Sequence, residues 1–382
     1  MSGPLTGIKV VELAGIGPGP FCGMMLADMG ADVLRVDRLD PTDLGLPLPA
    51  RFDIMARGRR SIGLDLKGPA AVEIVLALVN KADVLIEGFR PGVMERLGLG
   101  PDACFARNPR LVYGRVTGWG QDGPLAHAAG HDINYIAISG ALHAIGPRGE
   151  PPVPPLNLVG DYGGGAMYLA FGIACALLER HSSGRGQVVD AAMSEGAASM
   201  MSIFYARFAA GGWQDERGAN AIDGGAPWYS VYEAADGKFI SLGAIEARFY
   251  AKLLELLGLD PATLPKQHDK AGWPELRTRL RDAFRQKTRE EWCATLQGHD
   301  VCFAPVLSLA EAPAHPHHRA RETFMRRDGL IQPAPAPRFS RTPGTVERGA
   351  PDCGEGGSAA LADWGFDKAT MARFRAGGAR ID

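Results

Sequence analysis

The chain has 382 residues, 46% hydrophobic and 22% charged, with 41 Lys and Arg against 43 Asp and Glu for a net charge of −2. That length exceeds what a single core usually serves and predicts two domains, while the composition excludes a largely disordered chain. The balanced charge speaks against nucleic acid as the main partner and leaves room for a local phosphate site.

The first residues carry no basic stretch followed by an apolar run, so they do not resemble a signal peptide, and a cytoplasmic protein is expected. Short β-rich runs follow at Ile8–Leu13, Val33–Val36, Val84–Ile86 and Leu111–Val116, with helical patterns at Phe21–Gly30 and between Leu66 and Val84. Strands alternating with helices predict an α/β fold with a parallel, Rossmann-like sheet and ligands at the carboxyl ends of its strands. The most apolar segment, Ala166–Leu178, is about 13 residues and reads as a buried helix too short to cross a membrane. A long helix is expected after Asp161, starting in Gly163–Gly165 and stopping near Gly184.

Residues 211–225, rich in Gly, Asp and Asn, read as a linker, and Ala235-Asp236-Gly237 as the turn of a hairpin that opens a second domain. Helical patterns run from Arg248 to Leu257 and from Trp273 to Thr295, and Pro333–Pro343 marks another linker. The expected division is a large domain over 1–200, a linker over 201–225, a small α/β domain over 226–330, and a segment over 331–382 that returns to the large domain. The six cysteines are scattered without a C-x-x-C, which reads as free thiols. The run of histidines at 313–318 lacks Cys, Asp or Glu at ligand spacing, so no metal is assigned.

Gly15-Ile16-Gly17-Pro18-Gly19-Pro20 follows the first strand, and Asp37 ends the second about twenty residues on. This approaches a dinucleotide fingerprint and would suggest an NAD-dependent dehydrogenase, but Pro20 stands where the third glycine belongs. Arg38 places a guanidinium at a strand end. Arg57-Gly58-Arg59-Arg60, Lys67, Arg90 and Arg96 add basic groups near further strand ends. Together they point to a phosphorylated ligand, with coenzyme A and a nucleotide both open on this ground.

The order of Val10-Val11-Glu12-Leu13, Arg57–Ile62, Leu64-Asp65-Leu66-Lys67 and Arg90-Pro91-Gly92 resembles the family III CoA-transferase superfamily. Gly130-His131-Asp132-Ile133-Asn134-Tyr135, Gly160-Asp161-Tyr162-Gly163-Gly164-Gly165 and Gly243–Glu246 resemble its α-methylacyl-CoA racemase branch, in bacterial form. The resemblance runs from about residue 3 to 345, with Leu361–Phe366 fitting a common ending. It implies an interlocked homodimer whose active site lies between the large domain of one subunit and the small domain of the other. It further implies that 2-methylacyl-CoA is the substrate, that coenzyme A is carried as part of it, and that no other cofactor is required. Neither nucleic acid nor a membrane is an expected partner. By position, contacts to CoA fall on Arg38, Leu64, Asp65, Leu66, Lys67, Gly88, Phe89, Arg90, Pro91, Gly92, Val93 and Arg96, and on Gly130, Ile133, Asn134 and Tyr135.

Inverting the carbon beside a thioester carbonyl requires proton removal on one face and delivery on the other. A histidine, which titrates near ~6.5, and a carboxylate raised by burial suit that task. The resemblance makes His131 and Asp161 those groups, with Glu246 pairing the second imidazole nitrogen and the Asp132 amide holding the thioester oxygen. Asp161 also fits a helix N-cap, and Asp132 a turn or cap. The rival within the superfamily is a CoA-transferase, in which Asp161 is the nucleophile.

Overall fold

In the computed structural model, which describes residues 2–40, 45 and 48–382, the strands of the main sheet are apolar on both faces. Val11, Leu13, Leu34, Val36, Ile62 and Leu85 enter one core, and the alternate positions Val10, Val33, Val84, Ile86 and Val112 enter another. Burial on both faces is what a parallel sheet covered by helices requires, and it explains the short, near-continuous apolar runs.

In chain order the elements are β1 (Lys9–Leu13), α1 (Pro18–Asp28), β2 (Asp32–Asp37), β3 (Arg60–Gly63), α2 (Ala71–Val79), β4 (Val84–Glu87), α3 (Val93–Arg96), α4 (Pro101–Arg107), β5 (Val112–Thr117), α5 (Asp132–Ile138), α6 (Ala141–Ala144), α7 (Tyr168–Ser183), β6 (Val188–Ala192) and α8 (Met193–Met200). They continue with α9 (Ser202–Ala209), β7 (Tyr229–Glu233), β8 (Phe239–Gly243), α10 (Ala247–Leu257), α11 (Trp273–Phe284), α12 (Arg289–Leu296), β9 (Phe303–Pro305), α13 (Pro316–Ala320), β10 (Phe324–Arg327), β11 (Leu330–Pro333), α14 (Gly357–Asp363) and α15 (Lys368–Ala376). The main sheet has six strands in the order β3-β2-β1-β4-β5-β6, all parallel. Its strand order reverses between β1 and β4, the position where such sheets open a crevice for ligand.

The chain divides into two compact units. One comprises the residues up to Ser139, Leu156–Met200 and Glu322–Asp382; the other comprises Gly140–Pro155 and Met201–Arg321. This differs from the expected scheme at two places. Residues 140–155, expected in the large domain, group with the second unit, and residues 201–225, expected as a linker, begin with helix α9. The glycine-rich stretch after α9 is folded around the buried Asn220, whose amide donates to the carbonyls of Gln214 at 3.0 Å and Glu216 at 3.1 Å.

Three other expectations change. The basic run 57–60 is not a ligand site but the entry to a strand, β3, and its arginines are buried in ion pairs. Arg57 binds Asp28 at 2.6 Å, Arg59 binds Glu12 at 2.8 Å and Arg60 binds Asp32 at 2.7 Å. The single helix expected over 273–295 is two, because Thr288 and Glu291 form a capping box that starts α12 afresh. The long helix begins before Asp161, not after it. Leu158–Met167 is π-helical and runs into α7, giving 26 residues of mean hydropathy 1.3 over the most apolar window. By length and composition alone that helix is long enough to cross a membrane, contrary to the shorter segment read from sequence. One face of it, Leu169, Ile173 and Ala176, lies in the sheet core. Met167, Phe171 and Leu178 on other positions are exposed.

In the second unit, β7, β8 and β9 form an antiparallel sheet with the Asp236-Gly237 turn between the first two, Gly237 adopting φ +72°. Helices α10 to α12 pack on it around Trp228, Leu253, Leu276, Phe284 and Trp292.

Candidate active site

The loop after β1 defines the floor of the site. Gly15–Gly17 turns into α1, where Pro18 occupies the first turn and has no amide to leave unsatisfied. Gly17 has φ +66°, and a Cβ there would stand 3.1 Å from Asp161 Oδ2. The glycine loop that resembles a nucleotide motif therefore carries the carboxylate of Asp161 against its backbone. Asp37, the acidic residue that motif would need for a ribose, is already committed. It pairs with Arg35 at 2.9 Å and accepts the Ser61 hydroxyl at 2.5 Å.

Asp161 sits in the first turn of the π-helical segment, so it is not a helix N-cap. Its amide donates to Asp132 Oδ1 at 2.7 Å, and its Oδ2 accepts from Asn157 Nδ2 at 3.1 Å. The wide π turn leaves that amide without a helical acceptor and the Asp132 carboxylate satisfies it. The remaining oxygen, Asp132 Oδ2, is buried and has no partner among the described residues. Burial raises the Asp161 carboxyl above its ordinary range and the Asp132 charge raises it further; the Asn157 hydrogen bond and the His131 charge pull the other way. His131 and Asp161 are thus close enough to feel each other.

His131 is the extended residue before α5, exposed, with its amide held by Asn134 Oδ1 at 3.1 Å. Tyr135, one turn on, is buried and its hydroxyl donates to the Gly130 carbonyl. Its ring meets Trp119 edge-on at 4.8 Å. A Cβ at Gly118 would fall 2.1 Å from the Tyr135 ring, so this packing requires glycine there. Burial, followed by the charges of Asp161 and Asp132, pushes the Tyr135 phenol up to about 12. Tyr135 builds the platform under His131, whereas Ile133 and Asn134 face solvent.

The expected CoA residues lie at the carboxyl ends of the neighbouring strands. Arg38 follows β2 and is exposed; Leu64–Lys67 follows β3; Gly88–Arg96 follows β4. Leu64 and Leu66 are turned into the core, and Asp65 Oδ1 accepts the Lys67 amide at 3.0 Å. Among the described residues, the side chains of Arg38, Lys67, Arg90 and Arg96 have no hydrogen bond or ion pair, in contrast to the buried pairs of Arg57, Arg59 and Arg60. Exposed, unpaired cations around one end of a sheet suit a polyphosphate.

Two groups that sequence reading missed shape the loop after β4. Glu87 is fully buried and accepts the Phe89 amide at 2.7 Å and Arg115 Nε at 2.8 Å. Arg115 also reaches Glu95 in α3 at 2.9 Å, so one guanidinium fixes both ends of the loop containing Arg90, Pro91 and the left-handed Gly92. Asn157 was missed as well. Its only signal in the sequence is a spacing of one helical turn before Asp161.

Glu246, in the second unit, precedes α10 and is exposed; its carboxylate has no partner among the described residues. The buried Gln267 holds the backbone just before it, donating to the carbonyls of Ala244 at 3.0 Å and Ile245 at 2.9 Å. Among the described residues no three His, Cys, Asp or Glu side chains gather as metal ligands.

Residues 5–356 match the family described as CoA-transferase family III. The chain belongs to CoA-transferase family III. Among family III relatives it is 48% identical to an alpha-methylacyl-CoA racemase of Mus musculus over 367 residues, 95% of this chain and 94% of that protein. It is 44% identical to the protein of the same name from Homo sapiens over 368 residues, with the same shares covered. A solved structure of a CAIB/BAIF family protein from Brucella suis superposes with a TM-score of 0.83 at 29% identity, covering 95% of this chain and all of that one.

Proposed function

We propose that this chain interconverts (2R)- and (2S)-2-methylacyl-CoA thioesters by moving the proton on C2 between two faces. Either His131 or Asp161 takes the C2 proton, and the electron pair of the C–H bond moves into the C2–C1 bond as the carbonyl π pair moves onto the thioester oxygen. The other group returns a proton to the opposite face of the planar enolate. The amide of Asp132 is the donor to the oxygen, and Glu246 of a second copy pairs the far nitrogen of His131 and steadies the imidazolium. CoA is held by Arg38, Lys67, the Gly88–Val93 loop and Arg96.

The observation that carries this reading is the partly buried Asp161, its carboxyl raised by burial and by Asp132, beside His131. Burial and the Asp132 charge favour the protonated form of Asp161 relative to a free aspartate, the direction that an acid at this site needs. In acyl transfer Asp161 would instead attack the thioester carbon, the C–S bond would break and CoA would leave as thiolate. The similarity to two proteins named racemase supports proton transfer over that chemistry.

Incubation with 2-methylacyl-CoA and hydroxylamine, without an acceptor acid, distinguishes the two chemistries. Proton transfer leaves Asp161 unmodified and releases CoA no faster than the uncatalysed reaction of hydroxylamine with the thioester, while optical purity falls. Stoichiometric release of CoA with a hydroxamate on Asp161 would establish the transferase instead.

A further inference from the structure

Residues 357–382 lie beyond the stretch matched by the family, which ends at 356. They are firmly attached. Leu361, Trp364, Phe374, Ala379 and Ile381 enter the core that contains Leu34 and Ile62. The tail then closes the open edge of the sheet. The Gly63 amide donates to the Arg380 carbonyl at 2.9 Å, and the Arg380 amide to the Gly63 carbonyl at 2.8 Å, forming an antiparallel bridge to β3. An edge strand gains from such cover, and any residue could supply it through its backbone. The residue present is an exposed arginine whose side chain has no hydrogen bond or ion pair among the described residues.

Its position is informative. Gly63 ends β3, one residue before the Leu64–Lys67 segment. A Cβ at Gly63 would meet Cys353 Sγ and Leu39 and lie 3.0 Å from Arg380 Cβ. The Cys353 thiol in turn sits 3.5 Å from the carbonyl oxygen of Arg38. Arg380 therefore leaves the backbone at the carboxyl ends of β2 and β3, where Arg38 and Lys67 are also exposed and unpaired. In a sheet of this strand order, the ribose of an adenine nucleotide is read at the end of β2, and an arginine there accommodates a phosphate on it. Coenzyme A carries a phosphate on the neighbouring 3′ position of its adenine ribose. Asp37, the acidic residue that ends β2, is paired with Arg35 at 2.9 Å.

We propose that Arg380 binds the ribose phosphate of coenzyme A, so that the C-terminal tail contributes a substrate contact of its own. This rests on the acyl-CoA reading above. The test is equilibrium binding of CoA and of 3′-dephospho-CoA to the full chain and its Arg380→Ala and Arg380→Lys variants, with thermal melts to confirm that the backbone bridge persists. Arg380→Ala is expected to weaken CoA about fivefold to tenfold, leave dephospho-CoA unchanged and lose its effect at high salt. Arg380→Lys should keep part of the preference. Equal weakening of both ligands, or of neither, overturns the proposal. Failure of the unaltered chain to bind either ligand would instead overturn the acyl-CoA reading beneath it.

Discussion

Asp161 is a group whose usefulness conflicts with stability. Its carboxyl is raised above the ordinary range in the fold, mainly by burial. The folded chain therefore binds that proton more tightly than the unfolded chain does. Its contribution to stability is fully present below the unfolded value of ~3.9 and is lost as pH rises through the higher folded value. Asp161→Asn has no proton to lose, so its melting temperature should gain on the parent as pH rises from 4 to 7.5. A gap that stays constant across that range would mean that Asp161 is not raised. The sequence led to His131, Asp161 and Glu246 because their local motifs are distinctive. It could not lead to the Asp132 carboxylate as the acceptor of the Asp161 amide, since that contact spans 29 positions of the chain and depends on a π turn. Nor could it separate Arg38 from Arg59, since both are arginines flanking a strand and only burial distinguishes an exposed cation from a paired one.

At the scale of elements, the alternation of strands and helices was legible wherever apolar residues dominate, as in β1, β2, β4 and β5. β3 was not, because Arg59 and Arg60 disguise it as a basic loop. Those side chains are tolerated in the interior because they are paired: Arg59, just before β3, with Glu12 on β1, and Arg60 with Asp32 on β2 and Asp363 in α14. The π-helical segment was also hidden, its glycines suggesting a helix start. Their purpose is close approach to α8. A Cβ at Gly196 would lie 2.0 Å from the Gly164 carbonyl oxygen, and one at Gly164 would lie 2.7 Å from that of Met193. Gly196→Ala should therefore push the π-helical segment away, costing about 1–3 kcal/mol in a denaturant titration. Turnover should fall further than substrate binding, because Asp161 rides on that segment while the strand-end cations do not. Unchanged kinetics in a stably folded variant would show that the close crossing does not position Asp161.

For the whole molecule, the most apolar long helix keeps Met167, Phe171 and Leu178 exposed, 70% for Phe171 and 76% for Leu178. We propose that a second copy of the chain covers this apolar stripe. The same assembly would bring together His131 and Glu246, which are exposed in one chain. Mixing inactive His131→Ala and Glu246→Ala variants under subunit exchange should then restore activity, to about a quarter of the parent if chains pair at random. No restoration would place both residues in one chain's site. The two-unit organisation was partly readable, through the change from parallel to hairpin signals near residue 228. The assignment of 140–155 to the second unit was not, because nothing local marks a segment whose partners lie far along the chain.

Racemisation by this chain requires exchange of the C2 proton. A single enantiomer of 2-methylacyl-CoA, incubated in D2O without an acceptor acid, should take up solvent deuterium at C2 as its optical purity is lost. His131→Ala and Asp161→Ala should each nearly abolish racemisation while still binding CoA. Substrate recovered undeuterated and optically unchanged from the parent protein would contradict the racemase reading.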